Sequence, residues 1–315
     1  MNQSEDIREE LQLSAFATDP SSLSLADAYR YCRRITQQSS SNFYYAFRML
    51  PTERHNALCA FYAFCRFLDD ITDQPESLPS TQGRDVKERI PVLLNTWRDE
   101  LRRCYTGTSR HPISRALADT IQRFPIDREH LAGIIDGVEM DIGRCRYPTF
   151  TALYDYCYHV ASLVGLVCIE ILGYRNPSAR DYAVNLGVAF QLTNILRDVG
   201  EDVQRDRIYL PQEDLERFGY TEQELRAEIY NNAFVRVMTF ESERAKEYYQ
   251  QAVTKLAAED RHSLAAAEAM RLIYRRLLDK LIAQKFAVFG RRIALSRSYK
   301  IALALTAWVR GQLPF

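Results

Sequence analysis

Two groups of acidic residues stand far apart in the chain: Asp69, Asp70 and Asp73, and then Asn194, Asp198 and Asp202. Asp69 and Asp73 are four residues apart, so on a helix they share one face, with Asp70 beside them. Asn194, Asp198 and Asp202 fall at i, i+4 and i+8, a stripe about 12 Å long if one helix carries all three. Carboxylates packed this closely repel one another. Mg²⁺ relieves that, because it takes one or two carboxylate oxygens and substrate phosphate while keeping several waters. Arg66 lies three residues before Asp69, and Arg205, Arg207 and Tyr209 follow the second group. Guanidinium groups bind phosphate in bidentate fashion. The competing reading is a pair of solvated acidic helix ends with salt-bridge networks. Two features weigh against it. The segment Phe61–Leu68 before the first group is strongly apolar, and negative charge at a helix C-terminus opposes the helix dipole.

Metal ions holding a diphosphate stabilise it as a leaving group. Loss of diphosphate from an allylic chain leaves a carbocation, which survives only in a dry apolar and aromatic cavity. The 19 Tyr and 15 Phe of the chain supply such walls and their cation–π stabilisation, although aromatics at helical spacing equally make a plain core. Tyr62 stands one turn before Arg66, and Gln191 lies on a line beside the second stripe. Tyr154, Tyr156 and Tyr158 precede a stretch in which Ala161 and Gly165 form a small-residue face and Tyr156, Val160 and Val164 an adjoining stripe. That face suits close approach of either a ligand or a neighbouring helix.

Long helices must position these residues. With 12 Gly and 11 Pro in 315 residues, the punctuation favours long helices over many short strands. The spacing predicts helices over about 24–38, 53–73 (opened by Pro51), 86–105, 113–123, 127–143, 150–173, 178–199, 222–256, 261–290 and 296–310. Residues 1–20 read as a flexible N-terminus. Ser39–Asn42 reads as a polar turn offering hydroxyls and N–H groups, and 74–85, 107–112 and 199–212 read as loops. No repeat or linker divides the chain, so one all-α domain over residues 21–315 is expected.

The charge balance, 41 basic against 41 acidic residues, offers no global field for nucleic acid. Seven cysteines without a CxxC pair read as buried free thiols of a reducing cytoplasm. The acidic N-terminus lacks the apolar core of a signal peptide. The longest uncharged runs fall short of the roughly 20 residues a membrane span needs. The expected location is cytoplasmic. The basic, apolar tail from Arg291 to Arg310 suits either docking on an anionic membrane or a helix that covers the core with a solvated face. No obligate protein partner is evident.

Together, Ser40–Phe47 with Leu50-Pro51, Tyr62–Asp73, Tyr156–Ala161, Gln191–Asp202 and Arg207–Pro211 resemble, in order and spacing, the squalene/phytoene synthase family of head-to-head prenyl transferases. The resemblance covers about residues 24–295. It implies an isoprenoid-synthase helical bundle around a central apolar cavity, in which Asp69, Asp70, Asp73, Asn194, Asp198 and Asp202 bind two or three Mg²⁺ ions and diphosphate. It also implies diphosphate contacts from Ser40, Arg66, Arg207, Tyr274 and Arg291. Tyr156 matches a tyrosine proposed to act in proton transfer or cation stabilisation, and Tyr62, Val160, Ala161, Val164, Gly165 and Gln191 would line the cavity.

Within the family, Val160–Ile171, Ile134–Asp141 and Val288–Arg292 are most similar to bacterial presqualene diphosphate synthases of hopanoid pathways. This resemblance implies condensation of two farnesyl diphosphates to presqualene diphosphate, with NADPH not expected. Phytoene synthesis from geranylgeranyl diphosphate, or a squalene or dehydrosqualene synthase that carries the reaction further, are the alternatives. A non-catalytic assembly protein of the same fold is the alternative of another class. A metal phosphohydrolase of the HD type is excluded, because no histidine precedes an aspartate.

Overall fold

The computed structural model describes residues 24–38, 46–47, 49–73, 86–143 and 146–312. Ser40, the N-terminal segment 1–20, the polar turn at Ser39–Asn42 and the loop at 74–85 lie outside these residues. The chain divides into two compact units, Met1–Ile142 and Gly143–Phe315. Among the described residues no strand forms, and the only β pairing is an isolated bridge between Arg146 and Ile208.

The first unit contains α1 (Leu25–Gln38), α2 (Thr52–Asp73), α3 (Val86–Thr106), α4 (Pro112–Arg123) and most of α5 (Arg128–Gly143). Their starts follow local chemistry. Ser24 Oγ accepts the Asp27 N–H at 3.1 Å, an N-cap for α1. His111 and Ser114 exchange a capping box at the start of α4, with Pro112 in its first turn. α2 begins just after Pro51, whose carbonyl accepts the His55 N–H. α1, α3 and α4 each pack against α2. Phe61, Phe64 and Phe67 of α2 are buried with Trp97 of α3 and Ile113 and Leu117 of α4. This aromatic packing anchors the helix that carries the first acidic group.

The second unit holds α6 (Phe150–Cys157), a π turn (Tyr158–Ser162), α7 (Leu163–Leu172), α8 (Ser178–Gln204), α9 (Gln212–Phe218), α10 (Glu222–Arg226), α11 (Asn232–Lys255), a 3₁₀ turn (Ala258–Asp260), α12 (Ala265–Ala283) and α13 (Arg297–Gln312). α8 is the spine, packed by α11, the π turn, α7 and α12. At Gly187 it approaches the π turn so closely that a Cβ would lie 2.6 Å from Ser162 Cα and 2.7 Å from Ser162 N. Only glycine admits backbone contact of this kind. Ser162 Oγ also donates to Val184 O at 2.8 Å.

The helix expected over 150–173 forms, with a π turn inside it, a feature that frequently marks functional sites. The structure corrects three sequence expectations. α8 runs on to Gln204 through what was expected to be the 199–212 loop. The helix expected over 222–256 is two helices, because α10 ends at Arg226 and α11 starts afresh at its Asn231 cap, which accepts the Phe234 N–H at 2.9 Å. The helix expected over 261–290 is confined to Ala265–Ala283.

Candidate active site

The C-terminal turns of α2 gather Arg66, Asp69, Asp70 and Asp73, with Tyr62 near enough to Arg66 to influence its charge. Arg66 pairs with Asp70 at 2.5 Å, and both are largely withdrawn from solvent. Asp69 keeps solvent contact, yet burial is the largest influence on its carboxyl and lifts its pKa to about 7. Arg66 opposes the rise, while Asp73, Asp70 and Asp141 add to it. Because the side chain meets water, we assign the durable part of the rise to these three carboxylates rather than to desolvation. Asp141, on α5, was missed in the sequence. It lies near enough to Asp69 to raise its carboxyl, while Asp136 and Glu139 of the same helix pair with Arg98 at 2.7 and 2.6 Å.

The second group sits on α8, which carries Asn194, Asp198 and Asp202 along one stripe because the helix continues past Val199. Asp198 is clasped by the largely buried Arg197, and Arg292 Nε lies 3.3 Å from its Oδ1 and 3.6 Å from Glu201. Arg197 and Arg292 were not singled out in the sequence. Arg197 stands within the motif, next to Asp198, and that adjacency was the available signal. Arg291, which was singled out, is exposed and donates to Ala287 O in its own turn. Its neighbour Arg292 is the base that reaches Asp198. Tyr274 is buried, stacks on Phe190 with ring centroids 4.4 Å apart, and lies near enough to Arg197 to influence it electrostatically.

Asn194 and Gln191 share a long contact, Nδ2 donating to Oε1 at 3.4 Å. Asn194 Oδ1 is buried with no hydrogen-bond partner among the described residues. A buried acceptor without a donor is costly, and a cation satisfies it. Among the described residues no three acidic, histidine or cysteine side chains converge closely enough to hold a metal unaided. Mg²⁺ takes few protein ligands and completes its shell with water and phosphate. The orphaned Asn194 oxygen and the carboxylate crowding at Asp69 therefore fit such an ion.

A third cluster joins the loop after α8 to α6. Arg207 N–H donates to Asp202 O at 2.9 Å, and Asp202, Arg207 and Tyr209 line a small cleft with Ile195, Val199 and Leu225. Tyr209 stacks on Tyr156 with centroids 5.1 Å apart, and their hydroxyls lie 3.4 Å apart. Tyr147 stacks on Tyr209 at 5.8 Å and meets Tyr156 at 5.4 Å. Arg146 fixes this loop from outside, donating to Asp206 O at 2.7 Å and pairing with Asp206 and Glu222.

Of the residues expected to line a cavity, Tyr62, Val160, Val164 and Gln191 are partly exposed. Ala161 and Gly165 are also partly exposed; the Ala161 backbone lies against Gly187 of α8, and a Cβ on Gly165 would come within 2.9 Å of the Ala183 carbonyl.

Arginines beside carboxylates can bind phosphate, and stacked tyrosines can face an electron-poor hydrocarbon. A family model described as squalene/phytoene synthase matches residues 36–299. The 15-cis-phytoene synthase of Synechocystis sp. is 36% identical over 301 residues, which span 92% of this chain and 87% of that protein. Among solved structures, a dehydrosqualene synthase in complex with ligand superposes with a TM-score of 0.78 at 29% identity, covering 91% of this chain and 97% of its own. The squalene synthase HpnC from Alicyclobacillus acidocaldarius gives 0.72 at 26% identity, covering 87% and 100%.

Proposed function

The chain belongs to the squalene/phytoene synthase family, and from that premise we propose that it joins two prenyl diphosphates head to head. One allylic diphosphate ionises, its cation alkylates the double bond of the second substrate, and loss of a proton closes a cyclopropane that still carries the second diphosphate. The observation that supports this most is the stripe Asn194–Asp198–Asp202 on one helix, with an unsatisfied Asn194 oxygen one turn before an Asp198 that pairs with Arg197 and Arg292.

Asp69, Asp70 and Asp73 on α2, and Asn194, Asp198 and Asp202 on α8, would hold Mg²⁺. Bound there, Mg²⁺ would neutralise charge on the departing diphosphate. Arg66, Arg197, Arg207 and Arg292 orient phosphate oxygens by hydrogen bonds. Tyr156 and Tyr209 present their ring faces to positive charge, and their hydroxyls provide a place for the departing proton.

For chain length, the Synechocystis relative supports geranylgeranyl diphosphate and completion to phytoene, and this reading leads. The second reading is farnesyl diphosphate with arrest at presqualene diphosphate. The stretch Val160–Ile171 supports it, as do two solved relatives named for dehydrosqualene and squalene synthesis. The test is incubation with each prenyl diphosphate and Mg²⁺, with and without NADPH, followed by mass spectrometry. Phytoene from the C20 substrate supports the leading reading. Presqualene diphosphate as the end product from the C15 substrate, unaltered by NADPH, replaces it with the second. Squalene formed only with NADPH, or dehydrosqualene formed without it, contradicts both.

A further inference from the structure

Helix α13 exposes most of its large apolar residues. Ala304 and Ala307 are buried, Lys300 and Leu303 are half-buried, and a Cβ on Gly311 would come within 3.1 Å of Ala265 on α12. Facing outward, Ile301, Leu305, Trp308 and Val309 are 43%, 47%, 41% and 51% exposed. Ile301, Leu305 and Val309 are spaced by four, so they form one stripe, and Trp308 lies alongside it. A helix that only covers a core has the reverse arrangement, with large apolar groups inward and polar groups outward. A contiguous exposed apolar patch marks a contact surface.

Charge selects the occupant. The exposed bases of α13 are Arg297 and Arg310, its sequence has no acidic residue, and Lys300 is half-buried near Arg197 and Arg292. We propose that α13 docks on an anionic lipid bilayer, with Ile301, Leu305, Trp308 and Val309 in the boundary between headgroups and acyl chains. Trp308 then sits where indole rings concentrate in membranes, at the headgroup level. Arg297 and Arg310, at the two ends of the stripe, meet lipid phosphates. A second copy of the chain fits this face poorly, because pairing two such helices sets base against base with no carboxylate between them. The docking does not depend on the prenyl chain length or on where the reaction stops.

The test is co-sedimentation of the full chain with vesicles of phosphatidylglycerol and phosphatidylcholine, and with phosphatidylcholine alone, over a salt series. Thermal melts establish that each variant folds. The wild type should bind the anionic vesicles, bind neutral ones more weakly, and be released by salt. The Ile301→Glu/Leu305→Glu variant should lose binding. Arg297→Ala/Arg310→Ala should weaken it by roughly fivefold per base. Val92→Glu, at an exposed apolar position of the first unit, should bind as the wild type does. The salt series and the arginine variant keep the test decisive if the glutamate variant misfolds. Absence of wild-type binding, or equal binding by wild type and a folded glutamate variant, overturns the proposal. A dimer in light scattering that the glutamate variant abolishes also overturns it, because the face is then a self-interface.

Discussion

Arg292 places its Nε 3.3 Å from Oδ1 of Asp198, across 94 residues of sequence, while Arg197 clasps the same carboxylate from within the motif. Asp198 is thus paired with arginine on two sides, and a Mg²⁺–diphosphate bound there would compete for that pairing, the carboxylate being a ligand for the metal and the guanidinium a donor to phosphate.

This competition gives Arg292→Ala two effects of opposite sign. With the competing cation removed, Mg²⁺ alone should bind more tightly. With a phosphate donor removed, KM for the prenyl diphosphate should rise. The Arg292 side chain is 54% exposed, so each change should be modest, about two- to fivefold. Calorimetric Mg²⁺ titration and steady-state kinetics read the two effects separately. A parallel change in both would contradict the competition.

The Tyr156 and Tyr209 hydroxyls, 3.4 Å apart, carry a separate prediction. If the Tyr156 hydroxyl handles a proton, Tyr156→Phe should keep the stacking and lower turnover by about a hundredfold. Unchanged turnover would reduce Tyr156 to its ring face.

Gly187→Ala tests the packing of α8. In an exposed helix interior this change stabilises by about 1 kcal/mol. Here the new Cβ would meet backbone atoms of Ser162 at 2.6 and 2.7 Å, so the sign reverses, with a loss of about 1–3 kcal/mol or more. Chemical denaturation measures it, and a gain in stability would contradict the described contact.

A pH effect on stability follows from Glu241. Burial pushes its carboxyl up to about 8 from the ordinary value of 4.5, with Arg244 opposing the rise and Asp214 adding to it. The folded chain therefore holds this proton through the range from about 4.5 to about 8, where the unfolded chain has released it. The unfolded state binds fewer protons, so stability falls as pH rises through that window and levels off above it. Glu241→Gln should remove this slope, and the melting-temperature difference, variant minus wild type, should grow across the window. A difference that shrinks would contradict the assignment.

What the sequence revealed and concealed has physical reasons. The spacing of Asp69 with Asp73 and of Asn194 with Asp198 is local, so both groups were legible as helix faces. The continuation of α8 to Gln204 was not. Gly200 reads as a breaker, but it stands there because the Val288 carbonyl would come within 3.1 Å of a Cβ. The π turn at Tyr158–Ser162 was equally hidden, because shifting the hydrogen-bond register leaves an apolar run apolar. Asp141 and Arg292 escaped notice because each joins its cluster from a distant helix or loop. Ala161 and Gly165 were legible as a place for close approach, and α8 approaches closely at Gly165 and at the Ala161 backbone.

The central claim is that the two acidic groups together support head-to-head coupling. The most direct measurement is the amount of coupled prenyl product formed by wild type, Asp69→Asn and Asp198→Asn with Mg²⁺, each checked for an unchanged melting transition. Coupled product from the wild type and a loss of about a hundredfold or more in each folded variant is the predicted result. Wild-type levels of product from either folded variant, or no coupled product from the wild type, would contradict it.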